Sequence, residues 1–326
     1  MRTGILIGLG AGLVSALVLV AAATGTSPLV LFFLFFLAPM PIIIVGLGWG
    51  WAASGVAAAA AAVAMLGLSQ PRAAILHFVA IGLPMAMLAY FIMLNRLVGP
   101  AQGGTQPAVE WYPIGRVLAI TVLIAGAIAA LALFSVASDV AGLEKSIRQA
   151  VDRFANSQLS LPGGEAKTPE PEQLDAFAKL MTQSFAAAVA SIWMFLAIFN
   201  LWLGGLVAKA SGRLMRPWPD LSMITLPREA PLAFIGAIGL SFLPGYAGLI
   251  ASGFAGALFL AYMLVGLAII HNLTLGLGVR PLVLFATYFA LFVFNPFSSI
   301  IIAMIAISEP ILPFRRGAGP APDPNE

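Results

Sequence analysis

Apolar and polar positions follow one another along this chain in long blocks, not in the short alternations of a soluble fold. Nine apolar stretches stand out, at roughly 4–23, 29–45, 50–68, 74–94, 115–137, 183–207, 231–250, 254–271 and 281–307. A helix needs roughly 20 apolar residues to cross a bilayer. The pattern therefore predicts an all-α, polytopic transmembrane helical bundle with eight to nine membrane segments. Three stretches carry interruptions. Pro39-Met40-Pro41 removes helical hydrogen bonds inside the second and predicts a short or broken helix there. Pro244-Gly245 and Asn295-Pro296 mark bends in the seventh and the last.

One polar block, 138–182, is long enough to fold. Val140, Leu143, Ile147, Val151 and Phe154 recur every three or four residues and give one apolar helix stripe. Ser138 or Asp139 is placed to cap its start, and Leu161-Pro162-Gly163-Gly164 to end it. Leu174, Phe177, Met181 and Phe185 carry a second stripe into the next span. The block predicts an extramembrane helical hairpin, either packed on itself or offered as a lid or partner-docking surface. The Gly/Pro-rich tail after Phe314 has the composition of a disordered segment. The reading is of one integral membrane domain over 1–314 and a tail over 315–326.

Composition narrows the class. Of 326 residues, 61% are hydrophobic and 9% charged, and the mean hydropathy is +1.01. Soluble chains carry about 45–50% apolar and about 25% charged residues, so a soluble enzyme is excluded. Arg2 and the Ala21-Ala22-Ala23 box imitate a signal peptide. The apolar run Gly4–Ala23 exceeds the usual signal length and further spans follow, so it reads as an uncleaved first helix. The chain has no Cys, which excludes disulfides, thiolate metal sites and Cys nucleophiles.

The net charge of +3 points to lipid and not to nucleic acid, because the cations sit in short loops between spans. Arg2, Arg96 and Arg116 fall on one side, and Lys209, Arg213, Arg216 and Arg228 join them if the first six segments all cross. The bias of Lys and Arg toward the cytoplasm then predicts a cytoplasmic N-terminus. The loop 138–182, with five Lys/Arg against seven Asp/Glu, lies outside. Nine crossings put Arg315-Arg316 outside as well; eight keep them inside, if 231–243 only dips into the membrane.

Small residues four apart form ladders: Gly4, Gly8, Gly12 and Ala16; Gly46, Gly50, Ser54, Ala58 and Ala62; Gly204, Ala208 and Gly212; Gly248, Ser252 and Gly256. In lipid, helices associate by close packing along such faces. The first ladder is open to two readings, internal packing or docking of another subunit. The alanine run 57–62 predicts burial against neighbours.

Catalytic motifs are missing. Without Gly-Lys-Ser/Thr there is no P-loop, and the two histidines, His77 and His271, show no His-Glu-x-x-His pattern. The spans hold almost no carboxylate or Lys, which argues against a proton-driven pump. No cofactor or metal is expected and the chain does not read as an enzyme. The polar candidates are His77, Asn200, His271, Asn272 and Asn295. Each has a structural reading: an interfacial histidine, an interhelical hydrogen bond, a helix cap at 271–272 and a bend at Asn295. For His77, Asn200, His271 and Asn295 the functional alternative is contact with a small-molecule substrate. Lys209, Arg213, Arg216 and Trp218 form a second group, in a stretch closed by Pro217-Trp218-Pro219. Cations beside Trp at a helix end suit lipid headgroups, or else a docking site for a partner.

These residues also carry a resemblance. Leu37-Ala38-Pro39-Met40-Pro41 followed by Gly48-Trp49-Gly50 resembles the Leu-Pro-x-Pro then Gly pattern of the YybS-like predicted membrane proteins of bacteria. Gly266-Leu267-Ala268-Ile269-Ile270-His271 is similar to that family's Gly-Leu-Ala block, and Ser308-Glu309-Pro310 through Arg315-Arg316 to its closing acidic-then-Arg segment. Asn200-Leu201-Trp202 with the stretch from Arg213 to Asp220 resembles its alphaproteobacterial branch. The family's N-terminal half is similar to the substrate-binding membrane subunits of energy-coupling-factor vitamin transporters. The resemblance implies a protein of the bacterial cytoplasmic (inner) membrane that binds a small molecule and works with a separate ATPase or scaffold subunit. The alternative from the residues is a non-transporting scaffold or assembly factor, binding protein partners through 209–220 or 138–182.

Overall fold

Lipid offers no hydrogen-bond partner to a bare peptide group, so apolar runs must satisfy their backbone internally, as helices. The computed structural model describes residues 2–25, 27–98, 108–159 and 170–315. Its helices are α1 (Arg2–Thr24), α2 (Pro28–Leu37), α3 (Met40–Trp49), α4 (Trp51–Leu68), α5 (Pro71–His77), α6 (Leu83–Met93), α7 (Ile114–Val136), α8 (Val140–Leu159), α9 (Pro171–Ala210), α10 (Ala230–Ser241), α11 (Gly245–Leu273), α12 (Arg280–Val293) and α13 (Phe297–Ser308). A π-helical turn, Phe78–Gly82, joins α5 to α6. Pro84 explains it: a proline has no N–H and its ring clashes with the carbonyl four residues back, and a wider turn relieves both. Strands β1 (Asn95–Val98) and β2 (Ala108–Trp111) pair antiparallel, with Arg96 opposite Glu110. The sequence pattern did not predict this hairpin.

Among the described residues, seven helical stretches are long and apolar enough to cross a membrane, including Leu29–Trp49, which spans the α2–α3 break; α10, α12 and α13 are shorter apolar helices. The fold is an all-α polytopic bundle, as the sequence predicts. Two boundaries are corrected. The chain breaks after α10 and not near residue 252, so 245–273 is one helix. Glycine is tolerated inside helices that pack closely in lipid, while Pro244, extended at ψ 156, forces the earlier break. The stretch 281–307 is not one bent span but two half-length helices meeting at Asn295-Pro296.

The chain divides into two compact units. The first holds residues 1–121 and 194–220. Its core forms where α1 crosses α4: a Cβ added to Gly8 would lie 2.7 Å from the Ala53 carbonyl oxygen, and one on Gly12 would lie 2.3 Å from that of Ala57. Ala16 continues the contact, packed beside Met65 and Ala74. The first glycine ladder is therefore used in packing inside this chain, the first of its two readings. Ala57, Ala58 and Ala61 are buried, as the alanine run predicts.

The second unit holds residues 122–193 and 221–326. Here α7, α9 and α11 meet on small residues, with Gly253 beside Ala129 and Ala186, and Gly256 beside Ala187. The polar hairpin forms from α8 and the start of α9. Asp139 caps α8, accepting from the Gly142 N–H at 2.7 Å, and Arg148 pairs with Asp152 and Asp175. Tyr246 donates its hydroxyl to the Ala137 carbonyl at 2.8 Å, which fixes the hairpin's root to the start of α11. The expected stop at Leu161–Gly164 and the tail from 316 onward lie outside the described residues. Arg315, expected in a disordered tail, is buried and paired with Glu309.

Candidate functional site

The α2–α3 break collects polar groups from three neighbours within the first unit. Ser15 of α1 donates to the Ala38 carbonyl at 2.7 Å. Ser54 of α4 donates to the Ile42 carbonyl at 3.0 Å. Asn200 of α9 donates to the Phe36 carbonyl and to its own Leu196 carbonyl, both at 2.9 Å. Prolines 39 and 41 remove the N–H groups that would otherwise occupy carbonyls around this break, and a carbonyl left bare in lipid is costly.

His77 joins the cluster from α5, with Nε2 3.4 Å from Ser15 Oγ. The hydroxyl has one proton and gives it to Ala38, so Nε2 must carry the imidazole hydrogen and donate to Ser15. That tautomer leaves Nδ1 as a bare acceptor, and among the described residues Nδ1 has no partner. Asn200 spends both amide hydrogens on carbonyls, and among the described residues its Oδ1 likewise has no partner. His77 is buried, 2% exposed, six residues into α5, which starts at Pro71. The two leftover acceptors come from opposite neighbours of the broken span. Phe36 and Ala38 are two residues apart, which on a helix means nearly opposite faces.

His271 and Asn295 belong to the second unit. His271 Nδ1 lies 2.8 Å from the Leu267 carbonyl, so it carries the hydrogen and Nε2 accepts from Tyr288 at 3.3 Å. Asn295 donates to Ser299 Oγ at 3.0 Å. Asn272 reaches Ser222 Oγ and Met223 Sδ. Arg315, 7% exposed, grips Glu309 and donates to the carbonyls of Ser222 at 2.7 Å and Ile224 at 3.1 Å. These bonds bring the end of α11 and the end of the α12–α13 pair to the same segment, 221–224.

The second predicted group, Lys209 to Trp218, folds back onto the first unit. Gly212 takes the left-handed conformation, φ 67, that ends α9, and the N–H groups of Arg213 and Leu214 close on the Ala208 carbonyl. The Met215 N–H then reaches the Leu47 carbonyl at 3.2 Å. Each cation meets an aromatic ring: Lys209 lies over Trp218 at 5.3 Å, Arg213 over Trp49 at 5.6 Å and Arg216 over Trp111 at 5.6 Å. Arg216 also donates to the Ile92 carbonyl at 2.9 Å. Burial alone holds its pKa below the usual guanidinium value. Arg116 stacks on Tyr112 nearby, and Gly4 of α1 lies against Trp49. Arg2, Arg96, Arg116, Lys209, Arg213 and Arg216 thus gather at one end of this unit. The sequence reading had the cations of this group but not their ring partners, Trp49 and Trp111. It also missed Ser15, which it did not single out, and Ser54, which it counted only as a small residue.

Over residues 14–308 the chain matches the family described as predicted membrane protein (DUF2232). The chain belongs to that family. The match includes both parts of the site, the α2–α3 break and the stretch 209–220. No curated protein and no solved structure matches the chain.

Proposed function

We propose that this chain is a small-molecule-binding component of a membrane transport system in the bacterial cytoplasmic membrane. In this reading it is not an enzyme, its N-terminus is cytoplasmic, and a separate ATPase subunit supplies the energy. The observation that carries the reading is the α2–α3 break, with one buried acceptor left over on each side of it among the described residues, His77 Nδ1 and Asn200 Oδ1. Membrane carriers bind substrates at discontinuous helices of this kind, where irregular backbone faces a site and not lipid. Bare acceptors select a ligand rich in N–H or O–H donors. Two further features support the reading: the chain has no phosphate-binding loop of its own, and the gathered cations at one end of the first unit suit a cytoplasmic face.

The test is to purify the tagged protein from its native membrane in mild detergent. We expect an ATPase or scaffold subunit to copurify and a bound small molecule to appear by native mass spectrometry. Its occupancy should fall in His77→Leu. A chain that repeatedly runs alone and empty sinks the reading. The scaffold alternative is favoured by the polar hairpin, where Phe177 and Leu180 are exposed on the first turns of α9. It predicts crosslinks from 171–182 or 209–220 to a protein partner, and deletion of 140–182 should abolish the former.

A further inference from the structure

The cationic end of the first unit has an unbalanced charge. Among the described residues, Lys209, Arg213 and Arg216 make no ion pair with a carboxylate. The carboxylate on β2, Glu110, is held by Arg96 at 2.7 Å. Arg216 is only 9% exposed, with its guanidinium over the Trp111 ring and one N–H used on Ile92. A buried charge without a counter-ion is destabilising by more than a single carbonyl hydrogen bond restores. The remaining guanidinium N–H groups form a planar fork, which matches the oxygens of a phosphate or carboxylate. Arg213, three residues away, is exposed, with its guanidinium over Trp49.

The surroundings select phosphate. Trp49, Trp111 and Trp218 stand at or beside the ends of apolar helices, which is the depth of the headgroup layer in a bilayer. Their rings hold the cations in place without neutralising them. We propose that Arg213 and Arg216, with Lys209, bind a phosphate-bearing anion at this end of the molecule. The ligand is either the headgroup of an anionic phospholipid or a soluble phosphate. The inference does not depend on the transport reading.

The experiment uses the full chain in nanodiscs of phosphatidylcholine, with and without phosphatidylglycerol, read by unfolding temperature and tryptophan emission. In a second arm, inorganic phosphate is titrated against chloride at constant ionic strength into the phosphatidylcholine discs. We expect phosphatidylglycerol to raise the unfolding temperature and shift the emission. The double variant K209Q/R213Q should lose most of that response, at about fivefold in affinity per charge removed. R216Q should lose it too; if R216Q does not fold, the double variant, altered only at exposed positions, still decides. A response to phosphatidylglycerol alone identifies the lipid headgroup, and a response to phosphate as well identifies a soluble ligand. If neither anion has an effect, or if K209Q/R213Q responds as the parent does, the proposal is overturned.

Discussion

The stretches 29–49 and 281–307 are the same kind of sequence, an apolar run with proline near its middle, yet they fold in different ways. In the first, α2 and α3 continue in line as a single apolar stretch long enough to cross. In the second, α12 and α13 are each too short to cross about 30 Å of hydrocarbon, and Arg315 beyond α13 returns to Ser222, which Asn272 at the end of α11 also reaches. The difference lies in where the disturbed carbonyls find donors. At the first break the donors are distant in sequence: Ser15, Ser54 and Asn200, from three other helices. At the second the donor is local: Ser298 donates to the Ala290 carbonyl at 2.9 Å. Packing follows the same division. Ile42, Ile43, Val45 and Leu47 of α3 are buried, whereas no residue of α12 is. A broken helix surrounded by donor helices stays in line, and one that satisfies itself is free to fold back.

The largest test of this contrast is all-or-none. The chain has no native Cys, so single thiols report sidedness cleanly. A membrane-impermeant thiol reagent should label Leu221→Cys and Ile311→Cys from one face and Leu243→Cys from the other. If Ile311→Cys labels together with Leu243→Cys, the α12–α13 pair crosses and the contrast fails. Next in size is the seat of α13 on α11. A Cβ on Gly266 would lie 2.0 Å from the Ile302 carbonyl oxygen. Gly266→Leu should cost about 3 kcal/mol in denaturant unfolding, the upper range for overpacking. A cost near zero would mean that α13 is not seated there.

Smaller effects separate the two kinds of donor. Asn200→Leu takes a hydrogen bond from the Phe36 carbonyl and should cost about 1–2 kcal/mol, near the top of the range for interhelical hydrogen bonds in membranes. Ser298→Ala removes only a local bond and should cost about 0.6 kcal/mol, the average for such bonds. Equal costs in the same unfolding assay would erase the distinction between distant and local satisfaction.

Much of this was legible in the sequence for direct physical reasons. The spans show as apolar runs because lipid tolerates little else, and the hairpin at 138–182 shows as a stripe because one helix face is apolar. The prolines announced both breaks. What they did not announce was the outcome, since Ser15 lies 23 residues from Ala38 and Asn200 lies 164 from Phe36. The buried state of His77 was equally hidden, because it depends on which helix covers α5. Trp111 gave no signal of pairing with Arg216, for β2 comes near that loop only after the chain has folded.

The sequence by itself determined that this chain dissolves in a bilayer, where its helices run and where its cations fall, because those follow from the local balance of apolar and charged side chains. Only the tertiary structure decided which break stays in line and which folds back, and which cation sits on which ring. Those outcomes depend on donors and rings contributed by segments far away in the chain, and no local pattern records them.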